Sequence, residues 1–209
     1  MIYPIKIRGG LLRKFFLGFL FLQAFCFASG DAILREQMSS KDRRYVGFSE
    51  AFRLMDERGA RVIAETGCDL DGAQPGLFAA FAKENGGRVY VVDPSKEGLR
   101  AAKLSAGSNV SSLECFCEDP VMFLRNFPFQ IDLLYLDSVK FFHHDPGSAQ
   151  RYHLEELKAA LPHFGPNTIV MIDDCGLSGG GRGKLVIEYL ISKGWKIVSH
   201  TYQVILVQE

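Results

Sequence analysis

The sequence predicts a doubly wound α/β fold: a mostly parallel seven-stranded sheet, helices on both faces, and an antiparallel last strand. Three observations predict it. Apolar runs recur at 62–64, 89–92, 131–137 and 168–174, and they are nearly unbroken rather than alternating, as strands buried on both faces are. Segments with helical spacing or helix caps separate these runs. Nearly every run closes on an acid, at Glu65, Asp93, Asp137 and the pair Asp173-Asp174. In open sheets of this kind ligands bind beyond the carboxyl ends of the strands.

Phe48, Ala51, Phe52 and Met55 recur at i, i+3, i+4 and i+7, a helix with one face on the sheet, and Gly59 ends it. The first strand runs into Glu65-Thr66-Gly67, then a loop with Gly72 and Gly76, then a helical segment over 77–82. Asn85-Gly86-Gly87 closes that helix, and the second strand ends on Asp93. Ser95 caps a helix through Ala106. Residues 110–117 read as a third strand, Glu118-Asp119-Pro120 opens a short helix over 121–126, and IDLLYLD at 131–137 is a central strand. A loop with Lys140, His143 and His144 leads to a helix over 148–161, and TIVMIDD at 168–174 is the fifth strand. Gly179-Gly180-Gly181 bends into a helix over 184–192, and 195–201 with 203–208 form a closing strand pair. Tyr135 and Tyr202 read as core and edge aromatics, and His153 as a packing or surface residue of its helix.

Lysine plus arginine equals aspartate plus glutamate at 24 each, so no charge excess points to nucleic acid as a partner. Cys26, Cys68, Cys115, Cys117 and Cys175 form an odd set without paired CxxC spacing. Cys115 and Cys117 read as strand residues rather than zinc ligands, and the set suits a reducing cytosol.

Residues 1–37 form an N-terminal extension to a domain at 38–209. Lys6, Arg8, Arg13 and Lys14 precede an apolar run at 15–28 that is shorter than the about 20 residues of a spanning helix. Three readings stand: a signal-like export segment, an uncleaved anchor giving membrane association through 15–28, or sequence upstream of an initiator at Met38.

The βαβ unit at 61–93 has the parts of a nucleoside site. Its glycines let a ligand approach the backbone, and Asp93 is placed to accept hydrogen bonds from ribose hydroxyls. The dinucleotide fingerprint G-x-G-x-x-G is absent, because the glycines fall at 67, 72 and 76. Asp137, Asp173 and Asp174 end two strands expected to be neighbours. Three converging carboxylates repel unless something compensates, and a hard divalent cation does this well; the alternative is that one faces solvent and another caps a helix. On the same rim, a histidine with an ordinary pKa of about 6.5 suits proton removal at neutral pH.

These motifs, in this order, resemble the class I S-adenosylmethionine-dependent methyltransferases, over roughly 48–209. AETGC is similar to the family's first motif, which implies cofactor binding by Glu65 and Gly67; VYVVD implies Asp93 at the ribose; CEDP implies Asp119 at the adenine. IDLLYLDS resembles the fourth motif and implies Asp137 beside the transferring methyl. TIVMIDDC followed by GGGRGK resembles a bacterial subgroup related to metal-dependent O-methyltransferases, which implies Mg2+ on Asp137, Asp173 and Asp174. The resemblance thus implies a Rossmann-like sheet, S-adenosyl-L-methionine as cofactor, and in-line methyl transfer to a hydroxyl of a small-molecule acceptor. In the loop after Asp137 the chain departs from the family, with no lysine base except Lys140, and Lys140 or His143 could fill that role. A cofactor of the cytoplasm weighs against export. The longer glycine loop, CDLDGAQPG, departs from the family pattern and leaves a rival: a non-catalytic nucleotide-binding or membrane-tethered interaction protein.

Overall fold

The computed structural model describes residues 29–68 and 73–208; the apolar run at 15–28 and Gly72 of the glycine loop lie outside the described residues. In chain order the first elements are α1 (Ser29–Gln37), α2 (Tyr45–Arg58), β1 (Val62–Thr66), α3 (Ala73–Asn85), β2 (Arg88–Val92), α4 (Lys96–Ala106) and β3 (Leu113–Phe116). The chain continues through α5 (Pro120–Arg125), β4 (Ile131–Leu136), α6 (Pro146–Ala160), β5 (Phe164–Ile172), α7 (Lys184–Ser192), β6 (Lys196–His200) and β7 (Val204–Val207).

The seven strands make one sheet in the order β3-β2-β1-β4-β5-β7-β6. β1 pairs in parallel with both β2 and β4, and β7 alone runs antiparallel to its neighbours β5 and β6. The chain winds outward from β1 in one direction and then from β4 in the other. A crevice therefore opens where β1 and β4 meet, at the carboxyl ends of the strands.

Strands buried on both faces explain the unbroken apolar runs. Tyr135, Leu133 and Met171 face α2 and α3, where Phe48 lies 5.8 Å from the Tyr135 ring and Phe52 stacks on Phe81 at 5.0 Å. Leu134, Leu136 and Val170 face the other way, in a core with Leu157, Leu190 and Trp195. Phe48, Ala51, Phe52 and Met55 are all buried, as their spacing predicts.

The caps agree with the sequence. Ser95 Oγ accepts the Gly98 N–H at 3.1 Å and Asp119 Oδ1 accepts the Met122 N–H at 2.9 Å. Several elements differ: β5 runs from Phe164 to Ile172 rather than over 168–174, and α3 extends over Ala73–Asn85 rather than 77–82. The third strand begins only at Leu113, because Gly107–Ser112 tightens into a 3-10 turn, its Gly107 at φ +51°. Within the extension, α1 packs on α2 and α3 through Ile33 and Leu34. Among the described residues no helix is long and apolar enough to cross a membrane.

Candidate active site

Backbone hydrogen bonds continue past the ends of the strands and fix the turns there. The Gly67 N–H donates to Val92 O at 2.8 Å, Asp137 N–H to Thr66 O at 2.9 Å, Asp173 N–H to Leu136 O at 3.1 Å and Asp93 N–H to Phe116 O at 3.1 Å. The acids ending β2, β4 and β5 are thereby held in one row. Gly67 adopts φ +81°, and a Cβ there would lie 2.4 Å from both Asp137 O and Ser138 Cα. Only glycine lets the turn after β1 pass this close to the turn after β4.

Asp93 joins the first turn to the second. Its Oδ2 accepts the Cys68 N–H at 2.9 Å and its Oδ1 the Ser95 N–H at 2.6 Å. A carboxylate oxygen offers more than one acceptor site, so both oxygens retain capacity toward a ligand hydroxyl.

Beyond β4 and β5 the three carboxylates do converge, and the positive charge among them is Arg182. Its Nη2 donates to Asp137 Oδ1 and to Asp173 Oδ2 at 3.5 Å, and forms an ion pair with Asp174 Oδ2 at 2.6 Å. Nη1 donates to the carbonyls of Val139 at 2.7 Å and Asp137 at 3.3 Å. Burial opposes the guanidinium charge, but Asp137, Asp174 and Asp173 together outweigh it and raise the Arg182 pKa. Burial pushes Asp173 above the usual carboxylate range; Asp174 adds to this and Arg182 opposes it.

The approach of Arg182 is dictated by backbone. Gly179, Gly180 and Gly181 all have positive φ, and a Cβ on Gly181 would overlap Asp174 O. Gln150 Nε2 pins the turn by donating to Gly181 O at 2.8 Å and Gly179 O at 3.2 Å. Asp174 has φ +55°, a conformation that side-chain-bearing residues rarely adopt, and its carboxylate also accepts the Tyr202 hydroxyl. The Arg43 guanidinium lies 3.9 Å above the Tyr202 ring.

A cleft of about 690 Å³ opens over this row, lined among others by Arg43, Cys68, Asp93, Asp137, Asp174 and Tyr202. That volume is within the range of small-molecule sites. Lys140 and His143 lie on its rim, with His143 Nδ1 at 3.2 Å from Ser178 Oγ. His144 is exposed on the same loop, its ring 5.7 Å from that of Phe142.

Other sequence candidates sit elsewhere. Asp119, exposed, caps α5 and accepts the Tyr152 hydroxyl at 2.8 Å, outside the residues that line the cleft. Glu65 is buried in β1, in register with Val91 and Tyr135. His153 is fully buried, 3.8 Å from Glu156. Arg182, Tyr202 and Arg43 enter the site although the sequence assigned none of them a role; the likeness at GGGRGK was carried only onto Asp137, Asp173 and Asp174. The one signal pointing to Arg182 was three glycines before an arginine, two residues short of a helix.

The divalent ion implied for Asp137, Asp173 and Asp174 does not fit these residues as they stand. The point where their oxygens meet holds Nη2 of a buried guanidinium. Among the described residues no group of three or more His, Cys, Asp or Glu is arranged to hold a metal.

Beneath the cleft, burial pushes Glu156 up to about 8, while the hydroxyls of Ser138 and Thr66 and the field of Arg182 favour its charged form. Burial, with Arg182 adding, keeps His153 neutral, well below its ordinary value. A carboxyl with a raised folded pKa keeps a proton that the unfolded chain releases. Its stabilisation is therefore full below about 4.5 and falls as pH rises to about 8. Glu156→Gln is expected to match the parent stability near pH 5 and exceed it near pH 8.5. The gap should widen by about 1.4 kcal/mol per pH unit at its steepest, in urea denaturation across a pH series.

No family model and no curated protein matches the chain in sequence. Solved structures match its fold. The S-adenosylhomocysteine-bound methyltransferase PaMTH1 of Podospora anserina aligns over 100% of both chains at TM-score 0.58 and 14% identity. The O-methyltransferase TomG of Streptomyces achromogenes, in complex with S-adenosylmethionine, aligns over 88% of this chain and 90% of its own at TM-score 0.57 and 14% identity. Cofactor-bound Rv0187 from MTB aligns over 88% of each chain at TM-score 0.58 and 13% identity. The chain has the Rossmann-like fold of the S-adenosylmethionine-dependent methyltransferases.

Proposed function

We propose that the chain is an S-adenosylmethionine-dependent methyltransferase acting on a hydroxyl of a small-molecule acceptor. The observation that carries this reading is the row of stitched strand ends. It sets Asp93, the Gly67-Cys68 backbone and Asp137 along one small-molecule-sized cleft, at the crevice where this fold binds ligands. The residues fit the cofactor: Asp93 has acceptor capacity for a ribose diol, and the turn at Gly67 has no side chain to obstruct approach. When bound, S-adenosylmethionine supplies an activated methyl group on a sulfonium.

The work left to the protein is alignment and proton removal. Asp137 stands at the centre of the row, with one carboxylate oxygen fixed by Arg182. Its negative field favours a cationic centre beside it. His143, or Lys140 on the same loop, is within the cleft to take the acceptor's proton. Arg43 and Tyr202 add a cation and an aromatic ring to the lining of the same cleft. The metal-assisted form of the reaction finds no support in the residues, since Arg182 stands at the carboxylates it would use.

A transfer assay tests the proposal: S-adenosylmethionine labelled in its methyl group, offered with a panel of phenols, catechols and alcohols. Label is expected in at least one acceptor, with His143→Ala slowing transfer by about 10²- to 10⁴-fold if His143 is the base. S-adenosylhomocysteine binding without transfer to any acceptor would favour the non-catalytic binder instead.

A further inference from the structure

We infer that the three-carboxylate centre carries its own cation, Arg182, which takes the position of a divalent ion and excludes one. The contact set supports this. A single Nη2 serves Asp137, Asp173 and Asp174, so the point where the three carboxylates converge is filled by a donor. A divalent ion bound through oxygens needs ligands within about 2.0–2.6 Å of that same point. Two cations cannot share it, and a guanidinium does not deprotonate to make room.

Arg182 is also not free to swing away. It is 6% exposed, its second nitrogen is bound to the carbonyls of Asp137 and Val139, and its backbone N–H donates to Asp174 O at 3.4 Å. The preceding turn is fixed by Gly181, whose missing Cβ allows contact with Asp174, and by the two hydrogen bonds from Gln150. Displacing the side chain would part a buried positive charge from three carboxylates and from the two carbonyls it donates to, which is strongly unfavourable. The same contacts make Arg182 a positioning residue for the turn after β4, which carries Asp137, Ser138 and Lys140. If methyl transfer proceeds as proposed, on which this last consequence rests, the acceptor hydroxyl meets a protein base with no Lewis acid.

The test uses the full chain without cofactor, so it is independent of whether methyl transfer occurs. Thermal denaturation and calorimetric titration are followed with MgCl2, with MnCl2 and with EDTA. The midpoint of the parent protein is expected to be the same in all three, with no saturable heat of metal binding. Arg182→Met is expected to lower the midpoint by roughly 10 °C and to regain several degrees on adding Mg2+ or Mn2+, because three converging carboxylates lose the cation they share. Arg182→Lys, which keeps a cation, is expected to stay insensitive to metal. A saturable metal-dependent rise in the parent protein, abolished in Asp173→Asn, would overturn the inference. So would Arg182→Met at parental stability. Should Arg182→Met fail to fold, the parent titration and Arg182→Lys decide the question.

Discussion

Gly67→Ala is expected to abolish S-adenosylhomocysteine binding and to destabilise the fold by about 3–5 kcal/mol, from three sources. An L-residue at φ +81° costs about 1–2 kcal/mol by itself. The new Cβ would lie 2.4 Å from Asp137 O and Ser138 Cα, both backbone atoms that no rotamer change can remove. Relief requires the turns after β1 and β4 to part, at the expense of the Gly67–Val92 and Thr66–Asp137 hydrogen bonds, each worth about 1 kcal/mol. Gly86 supplies the control. It has φ +69° with open space around its Cβ position, so Gly86→Ala should lose only the conformational part. Urea denaturation of the two variants separates strain from collision. Equal losses would mean that the close passage of the two turns is not what holds the site.

Asp93→Ala is expected to weaken S-adenosylhomocysteine binding at least about 100-fold. Two roles are lost at once. Hydrogen bonds to a carboxylate are worth about 1.5–3 kcal/mol each, and the ribose hydroxyls would lose theirs directly. The Cys68 and Ser95 N–H groups also lose their acceptor, which loosens the turn the cofactor lies against. Asp93→Asn should recover little. One of its two terminal atoms is an NH2 group, which would face a backbone N–H with donor against donor. Calorimetric titration reads the loss, and parental affinity in Asp93→Ala would remove Asp93 from the site.

The sequence disclosed the sheet because strands buried on both faces leave no alternation to misread. It disclosed the acids because each stands at the end of an apolar run. Caps at Ser95 and Asp119 were legible because they are local. The features that stayed hidden depend on contacts between distant segments. Arg182 reaches Asp137 across 45 positions, by way of three left-handed glycines whose direction no periodicity reveals. Tyr202, read as an edge aromatic, meets Asp174 because the turn between β6 and β7 lies over the end of β5, where its carbonyl accepts the Cys175 N–H at 2.8 Å. Helix α1 was hidden for another reason. Only two side chains, Ile33 and Leu34, are needed to seat it, too few to show as a pattern in nine residues.

Thermal denaturation of the full chain with S-adenosylhomocysteine, and with NADH in parallel, tests most directly whether the row of strand ends binds S-adenosylmethionine. At a hundredfold excess over the dissociation constant, S-adenosylhomocysteine should stabilise the native state by about 2.7 kcal/mol, and NADH should leave the midpoint unchanged. A cooperatively folded protein whose midpoint does not move with S-adenosylhomocysteine would contradict this assignment of the cleft.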